Sequence, residues 1–99
     1  MNKNYYITTP IYYPSAKPHM GHAYTSIVAD FFARFKRMDG YKVHFLTGTD
    51  EHGLKIQRAA EKKNMDPLKF CDEISQTFRN LSETLNLSNS DFIRTTEQR

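Results

Sequence analysis

The sequence predicts an α/β fold with parallel strands, in which one long helix connects the first two strands. Three observations support this fold class. A strand-like segment, a long amphipathic helical segment and a second strand-like segment follow one another, and turn residues separate them. A helix of this length suits a right-handed β-α-β crossover. The loops after the two strands would then lie side by side at the carboxyl edge of the sheet, where α/β sheets bind ligands.

The first strand and the first helix are predicted from composition and periodicity. Residues 5–9 are β-branched or aromatic and end at Pro10, which is typical of a buried strand followed by a turn. Residues 10–18 contain three prolines and should form a stiff loop. From residue 21 to about residue 39, apolar residues recur at spacings of three and four, which predicts a helix with one face on the core. That face comprises Tyr24, Ile27, Val28, Phe31, Phe32, Phe35 and Met38.

The helix is predicted to end at Gly40, and a second strand follows at residues 42–47. A second helix is predicted for residues 54–63, begun at Gly53, because Leu54, Ile56, Ala59 and Ala60 lie among charged residues there. Residues 91–95, after a polar and turn-like segment, are predicted to open a further strand.

The third predicted helix begins with a clear terminal signal. Asp66 followed by Pro67 is typical of an N-cap and a first-turn proline. Behind them a core-facing stripe is formed by Cys71, Ile74, Phe78, Leu81 and Leu85. Cys71 is the single cysteine, so an internal disulfide is excluded, and its place on this stripe indicates a packing residue rather than a nucleophile.

Length and charge limit the possible functions. Ninety-nine residues make at most one small domain, and 14 Lys and Arg against 11 Asp and Glu give a formal charge of +3. This mild excess permits a nucleic-acid partner without arguing for one. The sequence contains no apolar stretch long enough to span a bilayer and no leader-like segment, so we expect a cytoplasmic protein without a membrane partner.

The motif with most chemical content is His19-Met20-Gly21-His22, at the start of the first helix. Two imidazoles there would face an anion held by the free amides and the positive end of the helix dipole, so a polyphosphate is the expected ligand. Gly21, having no Cβ, would let the backbone approach a flat ligand such as a nucleobase. Taken alone, however, a His-x-x-His pair is also compatible with an ordinary surface or hydrogen-bonded pair.

The residues around this motif carry a family resemblance. Residues 7–24 read ITTPIYYPSAKPHMGHAY, and residues 45–53 read FLTGTDEHG. This pairing resembles the methionyl-tRNA synthetases: the first block resembles the HIGH signature of class I aminoacyl-tRNA synthetases, and the second their T-G-T-D-E-H-G segment. The resemblance covers about residues 5–99. It implies that residues 1–99 are the amino-terminal part of a Rossmann-like nucleotide-binding catalytic domain, the remainder of which is absent from this sequence.

The resemblance implies an ATP-dependent methionine–tRNA ligase, with ATP entering as its Mg²⁺ complex and no metal bound by these residues. It assigns His19 and His22 to the ATP phosphates as catalytic groups, with Gly21 as a further ATP-binding residue. It assigns Asp50 to the α-ammonium group of methionine. Ile11, through its backbone, and Tyr13, beside the thioether, complete the implied methionine site. From spacing alone, a solvated, turn-forming cluster of Asp50, Glu51 and His52 is the favoured interpretation, and the family resemblance reverses that preference.

Other interpretations remain open at this stage. The K-M-S-K-S loop, the insert that often holds zinc and the anticodon-binding domain of the resembled family are absent, and tRNA contacts would lie in those missing parts. We therefore expect the isolated chain to be inactive. A non-catalytic nucleotide-binding remnant of the same fold is the alternative. A metal site built from His19, His22, His52 and Asp50 is disfavoured, because helical zinc pairs usually sit four residues apart.

Overall fold

The computed structural model describes residues 3–98, so Met1, Asn2 and Arg99 of the predicted domain lie outside the described residues. Each element predicted from the sequence is present, with its ends shifted by at most a few residues. In chain order the elements are β1 (Lys3–Thr8), α1 (Met20–Met38), β2 (Tyr41–Thr49), α2 (Leu54–Lys62), α3 (Pro67–Thr84) and β3 (Asp91–Arg94).

The three strands form one parallel sheet in the order β1-β2-β3. The predicted β-α-β unit with parallel strands is therefore confirmed. A bridge between Tyr12 and Thr49 continues the β1–β2 pairing into the loop that follows β1. Gly48 allows β3 to lie close to β2, because a Cβ at this position would lie 1.9 Å from the carbonyl oxygen of Ile93.

The predicted buried face of α1 is wrong. Phe31 and Phe35, like the rest of the apolar stripe, are exposed, with 63% and 54% of their surface accessible. The helix instead packs through small or polar residues: Ser26, Ala29, Asp30 and Ala33 are its buried residues, and the two alanines contact Phe45, Ile7 and Val43. Small side chains let the helix approach the sheet closely. Periodicity identifies a face that favours burial, but it does not show which surface covers that face.

A second cluster joins α2 to α3 through Ile56, Ala60, Phe70 and Cys71. The predicted start of α3 is confirmed, because the Asp66 side chain accepts a hydrogen bond from the Lys69 amide and Pro67 opens the helix. Burial raises the pKa of the Cys71 thiol to about 11, with a further contribution from the charge of Glu51, so the thiol is protonated and packs as a small apolar group.

Candidate active site

The loop after β1 forms backbone hydrogen bonds with the end of β2 and with the loop that follows it, at the carboxyl edge of the sheet. The Tyr12 amide donates to the Gly48 carbonyl at 3.0 Å, and the Asp50 amide donates to the Tyr12 carbonyl at 2.8 Å. Tyr13 extends this junction, because a Cβ on Gly53 would lie 3.8 Å from its hydroxyl oxygen. Gly53 has a φ of 120°, a backbone conformation that favours glycine, and it forms the turn before α2 that the sequence predicts. The two predicted site loops are therefore adjacent.

His19 and His22 cap the N-terminus of α1 reciprocally. The Gly21 amide donates to Nδ1 of His19, and the His19 amide donates to Nδ1 of His22, both at 3.0 Å. Their rings stack with centroids 3.9 Å apart and an angle of 23° between the planes. An Nδ1 atom that accepts a hydrogen bond carries no proton, so the network assigns the proton of each neutral ring to Nε2. Each ring therefore has an Nε2–H group that the cap does not use.

Gly21 has a structural role in addition to the ligand approach that the sequence suggests. A Cβ at this position would lie 2.8 Å from Cε1 and 3.1 Å from Nδ1 of His19. Any larger residue would therefore push the capping ring away from the helix. The amide of Gly21 is bound by His19, so an anion at this helix end would meet imidazole donors rather than that amide.

Tyr12 and Phe78 fix the position of the His22 ring. The Tyr12 and Phe78 ring centroids lie 4.7 and 5.1 Å from that of His22. The Tyr12 hydroxyl is hydrogen-bonded to Ser26 Oγ at 3.0 Å. Burial, and then the charge of His19, lower the pKa of His22 below its usual value of 6.5, so its ring is neutral near pH 7. Phe78 was predicted as a core-facing residue, but its contact with His22 and those of Tyr12 and Ser26 were not predicted, although Ser26 follows His22 by four positions on the same helical face.

An open cleft of about 420 Å³ brings together most of the predicted site residues. Ile11, Tyr13, His19 and His22 all line it. Two further lining residues, the cations Lys17 and Lys55, were not predicted from the sequence. Lys17 could have been noticed because it precedes His19 by two residues, whereas nothing local links Lys55 to the motif.

Asp50 adjoins this cleft but is not one of its lining residues. The residue is half-buried, and its carboxylate accepts a weak hydrogen bond from the His52 amide at 3.4 Å, as expected of a turn-forming aspartate. No ion pair involves Asp50 within residues 3–98. Its carboxylate thus retains the capacity to accept hydrogen bonds from a cation.

Glu51, in contrast, is buried. The interpretation of residues 50–52 as a solvated cluster is therefore wrong for Glu51. Arg94 donates to both carboxylate oxygens of Glu51, at 2.7 and 2.9 Å, and the hydroxyl groups of Thr49 and Thr96 each donate at 2.7 Å. Burial acts to raise the pKa of Glu51, but these hydrogen bonds and the charge of Arg94 outweigh it and lower that pKa. The loop after β2 is thereby fastened to β3.

Within the described part of the chain, no three His, Cys, Asp or Glu side chains are grouped as metal ligands. His19 and His22 use Nδ1 in the helix cap, and Nε2 of His52 lies 3.2 Å from the Thr95 carbonyl. None of the helices in residues 3–98 is long and apolar enough to cross a membrane.

Curated proteins of similar sequence include methionine–tRNA ligases. The methionine–tRNA ligase of Rickettsia bellii is 61% identical over 99 residues, which is all of this chain and 19% of that protein. The mitochondrial methionine–tRNA ligase of Takifugu rubripes is 57% identical over 98 residues, 99% of this chain and 17% of that protein. The chain thus spans about one fifth of the length of these curated relatives.

Among solved structures, the Mycobacterium tuberculosis methionyl-tRNA synthetase bound by methionyl-adenylate superimposes with a TM-score of 0.95 at 52% identity, covering 96% of this chain and 19% of that one. The β-α-β fold is therefore that of the Rossmann-like class I catalytic domain. The family described as tRNA synthetases class I (M) matches residues 5–99. The chain belongs to the class I tRNA synthetases (M).

Proposed function

We propose that this chain is the amino-terminal part of the catalytic domain of a methionine–tRNA ligase, which activates methionine with ATP and transfers it to tRNA. The observation that carries this proposal is the pair of Nε2–H groups on His19 and His22, which the helix cap leaves free at a cleft on the carboxyl edge of the sheet. The relatives named above as methionine–tRNA ligases, and the one bound by methionyl-adenylate, support it.

In the activation step the methionine carboxylate attacks the α-phosphorus of ATP, and the bond from that phosphorus to the pyrophosphate oxygen breaks. The nucleophile is already an anion, so no general base is required. The protein must align the reactants and stabilise the charge that develops on the phosphate oxygens. The Nε2–H groups of His19 and His22 donate hydrogen bonds to this charge, each contributing about 3 kcal/mol where water is excluded. ATP enters as its Mg²⁺ complex, and Gly21 keeps the His19 donor in place.

Methionine occupies the part of the cleft lined by Ile11 and Tyr13 in this proposal. The thioether beside the Tyr13 ring would gain about 1 kcal/mol from the sulfur–aromatic contact. Ile11 lines the same cleft, and in this proposal its backbone contacts methionine while Asp50 holds the α-ammonium group from the adjacent loop. A carboxylate with no ion pair within residues 3–98 suits that task.

We also propose a cytoplasmic location, although a mitochondrial ligase is among the similar proteins. Fractionation of the source cells tests this assignment. We propose that tRNA binds through parts of the enzyme beyond these residues.

Methionine-dependent ATP–pyrophosphate exchange in the full-length protein is the decisive experiment. Exchange that requires methionine, together with charging of tRNA, is the expected result. Binding of ATP with no exchange in the full-length protein would instead identify a non-catalytic nucleotide-binding remnant.

A further inference from the structure

The loop after β2 is held by a cluster that we call the β3 clamp, formed by Arg94, Thr95 and Thr96 at the end of β3. Arg94 donates to both carboxylate oxygens of Glu51, and the Thr96 hydroxyl donates to one of them. The Glu51 side chain is fully buried, whereas that of Arg94 keeps 19% of its surface accessible. A second carboxylate, that of Asp72 on α3, accepts a hydrogen bond from Arg94 at 2.6 Å. The clamp thus connects the loop after β2 both to β3 and to α3.

Backbone contacts extend the clamp along this loop. The Glu51 amide donates to Oγ1 of Thr95 at 2.8 Å, and the Thr95 amide donates to the Thr49 carbonyl at 3.2 Å. The ring of His52 lies against the same residue, with Nε2 3.2 Å from the Thr95 carbonyl oxygen. Thr49, Glu51 and His52 are therefore all held by Thr95.

Asp50 lies inside this held segment. Its amide donates to the Tyr12 carbonyl at 2.8 Å, so the loop after β1 fixes its backbone from the other side. Its carboxylate accepts a weak hydrogen bond from the His52 amide at 3.4 Å. A fixed backbone therefore carries a carboxylate whose oxygens can still accept hydrogen bonds from a ligand.

The contacts of Glu51 suit orientation better than they suit stability. Burying an ion pair costs solvation free energy, so such a pair is often no more stabilising than apolar side chains of the same size. A bidentate pair between a guanidinium and a carboxylate, however, fixes orientation as well as distance. Here that pair directly follows the residue that faces methionine in the proposed site.

We propose that Arg94 and Thr95 are positioning residues for methionine, which act through Glu51 to hold Asp50 at the α-ammonium group of the substrate. The inference rests on the methionine site of the function proposed above. Neither Arg94 nor Thr95 lines the cleft, so both act on methionine indirectly. A misplacement of about 1 Å at a substrate-binding group can cost about 10²-fold, so small shifts of the loop should be measurable.

Thr95 offers a matched pair of variants in the full-length enzyme. Thr95→Val removes the acceptor of the Glu51 amide with little change in shape, and Thr95→Ser retains it. Thr95→Val should raise the KM for methionine in pyrophosphate exchange about tenfold, with kcat and the KM for ATP within about twofold of the parent. Thr95→Ser should keep the parent KM for methionine. An unchanged KM for methionine in Thr95→Val would overturn the proposal.

Arg94→Lys tests the ion pair while its charge is retained. Lysine lacks the planar fork that binds both carboxylate oxygens, so the KM for methionine should again rise about tenfold. Arg34→Lys is the control, because Arg34 Nε also lies 2.8 Å from a carboxylate oxygen, that of Asp30 on α1. This control should lower the melting temperature and leave the KM for methionine unchanged. An equal rise of that KM in Arg34→Lys would assign the effect to general instability and overturn the proposal.

A double-mutant cycle tests whether Thr95 acts through Asp50. Thr95→Val should weaken methionine binding in the parent and have no further effect in Asp50→Ala, because residues that act as a unit are not additive. Equal effects in both backgrounds would overturn the proposal. Calorimetry with methionine alone gives these affinities without catalysis. Absence of exchange in the parent would therefore count against the proposed function, and coupling in the cycle would still support the clamp.

Discussion

The imidazole rings of His19 and His22 stack with their centroids 3.9 Å apart, and each accepts a backbone N–H at Nδ1. Helix capping therefore uses one nitrogen of each ring, and the proposed chemistry uses the other. A simple truncation to alanine removes both functions at once. Variants that keep the cap and lose the Nε2–H group are the informative ones.

Replacement of His19 should separate capping from catalysis in the full-length enzyme. His19→Ala should cost about 1 kcal/mol of stability through the lost N-cap, whereas His19→Asn should retain it. Both should lower kcat for pyrophosphate exchange by about 10²-fold, with little change in methionine binding, because the donor acts in the transition state. His22→Ala should show the same kinetic pattern. Exchange rates within about twofold of the parent would remove these rings from the mechanism.

Gly21→Ala should impair activity more than stability. Alanine is the better helix former by about 1 kcal/mol, which offsets part of the strain of a Cβ placed 2.8 Å from His19 Cε1. The His19 ring must then move, so kcat should fall while the melting temperature changes by only a few degrees. Thermal unfolding and exchange kinetics on the same preparation give both values. An unchanged kcat would mean that the ring position seen here is not required.

Asp50→Ala should weaken methionine binding and leave ATP binding nearly unchanged. A charge-assisted hydrogen bond to the α-ammonium group is worth about 2–3 kcal/mol. Calorimetry with methionine and with methioninol, which both carry the ammonium group, should show similar losses. If both ligands bind the Asp50→Ala variant as tightly as they bind the parent enzyme, the role of Asp50 is limited to the turn that it forms with His52.

Arg94→Ala should destabilise the chain strongly. It leaves the buried carboxylate of Glu51 unpaired, which costs about 3–5 kcal/mol. Adding Glu51→Gln to the Arg94→Ala variant should recover part of the lost stability, because it removes the buried charge. Denaturant unfolding of the two variants measures the difference. Equal stability of Arg94→Ala and the parent would show that the pair contributes little.

The same pair predicts how stability depends on pH. The pKa of Glu51 is lower in the folded chain than its usual 4.5, so its contribution is fully present above that value. The contribution is lost as pH falls below about 4.5 towards the lower folded-state pKa. Glu51→Gln should therefore make the free energy of unfolding depend less steeply on pH below about 4.5. An unchanged slope in this pH range would argue against a lowered pKa of Glu51.

The isolated 99-residue chain should be inactive and should self-associate. The stripe on α1 that includes Phe31 and Phe35 is exposed, and apolar patches of this kind favour association. Phe31→Ser with Phe35→Ser should reduce the apparent mass in analytical ultracentrifugation. Leu68→Ser, an exposed apolar position on α3, is the control. A monodisperse parent monomer with methionine-dependent exchange would contradict both expectations.

The sequence by itself determined the elements and their order, because these depend on short-range signals. Asp66 and Pro67 begin α3 as predicted, since an N-cap and a first-turn proline act within one helical turn. The parallel arrangement of β1 and β2 followed from the length of the segment between them. The resemblance to the family lay in contiguous residues and needed no three-dimensional information.

Tertiary structure alone decided which groups meet. Arg94 binds Glu51 across 43 positions of sequence, and Lys55 joins Lys17 at the cleft although no local pattern links them. It also decided that Ala29 and Ala33, rather than the aromatic stripe, pack on the sheet. Sequence periodicity reports how a helix distributes its apolar side chains. The face that is buried depends on the shape of the opposing surface and on how closely the backbones approach.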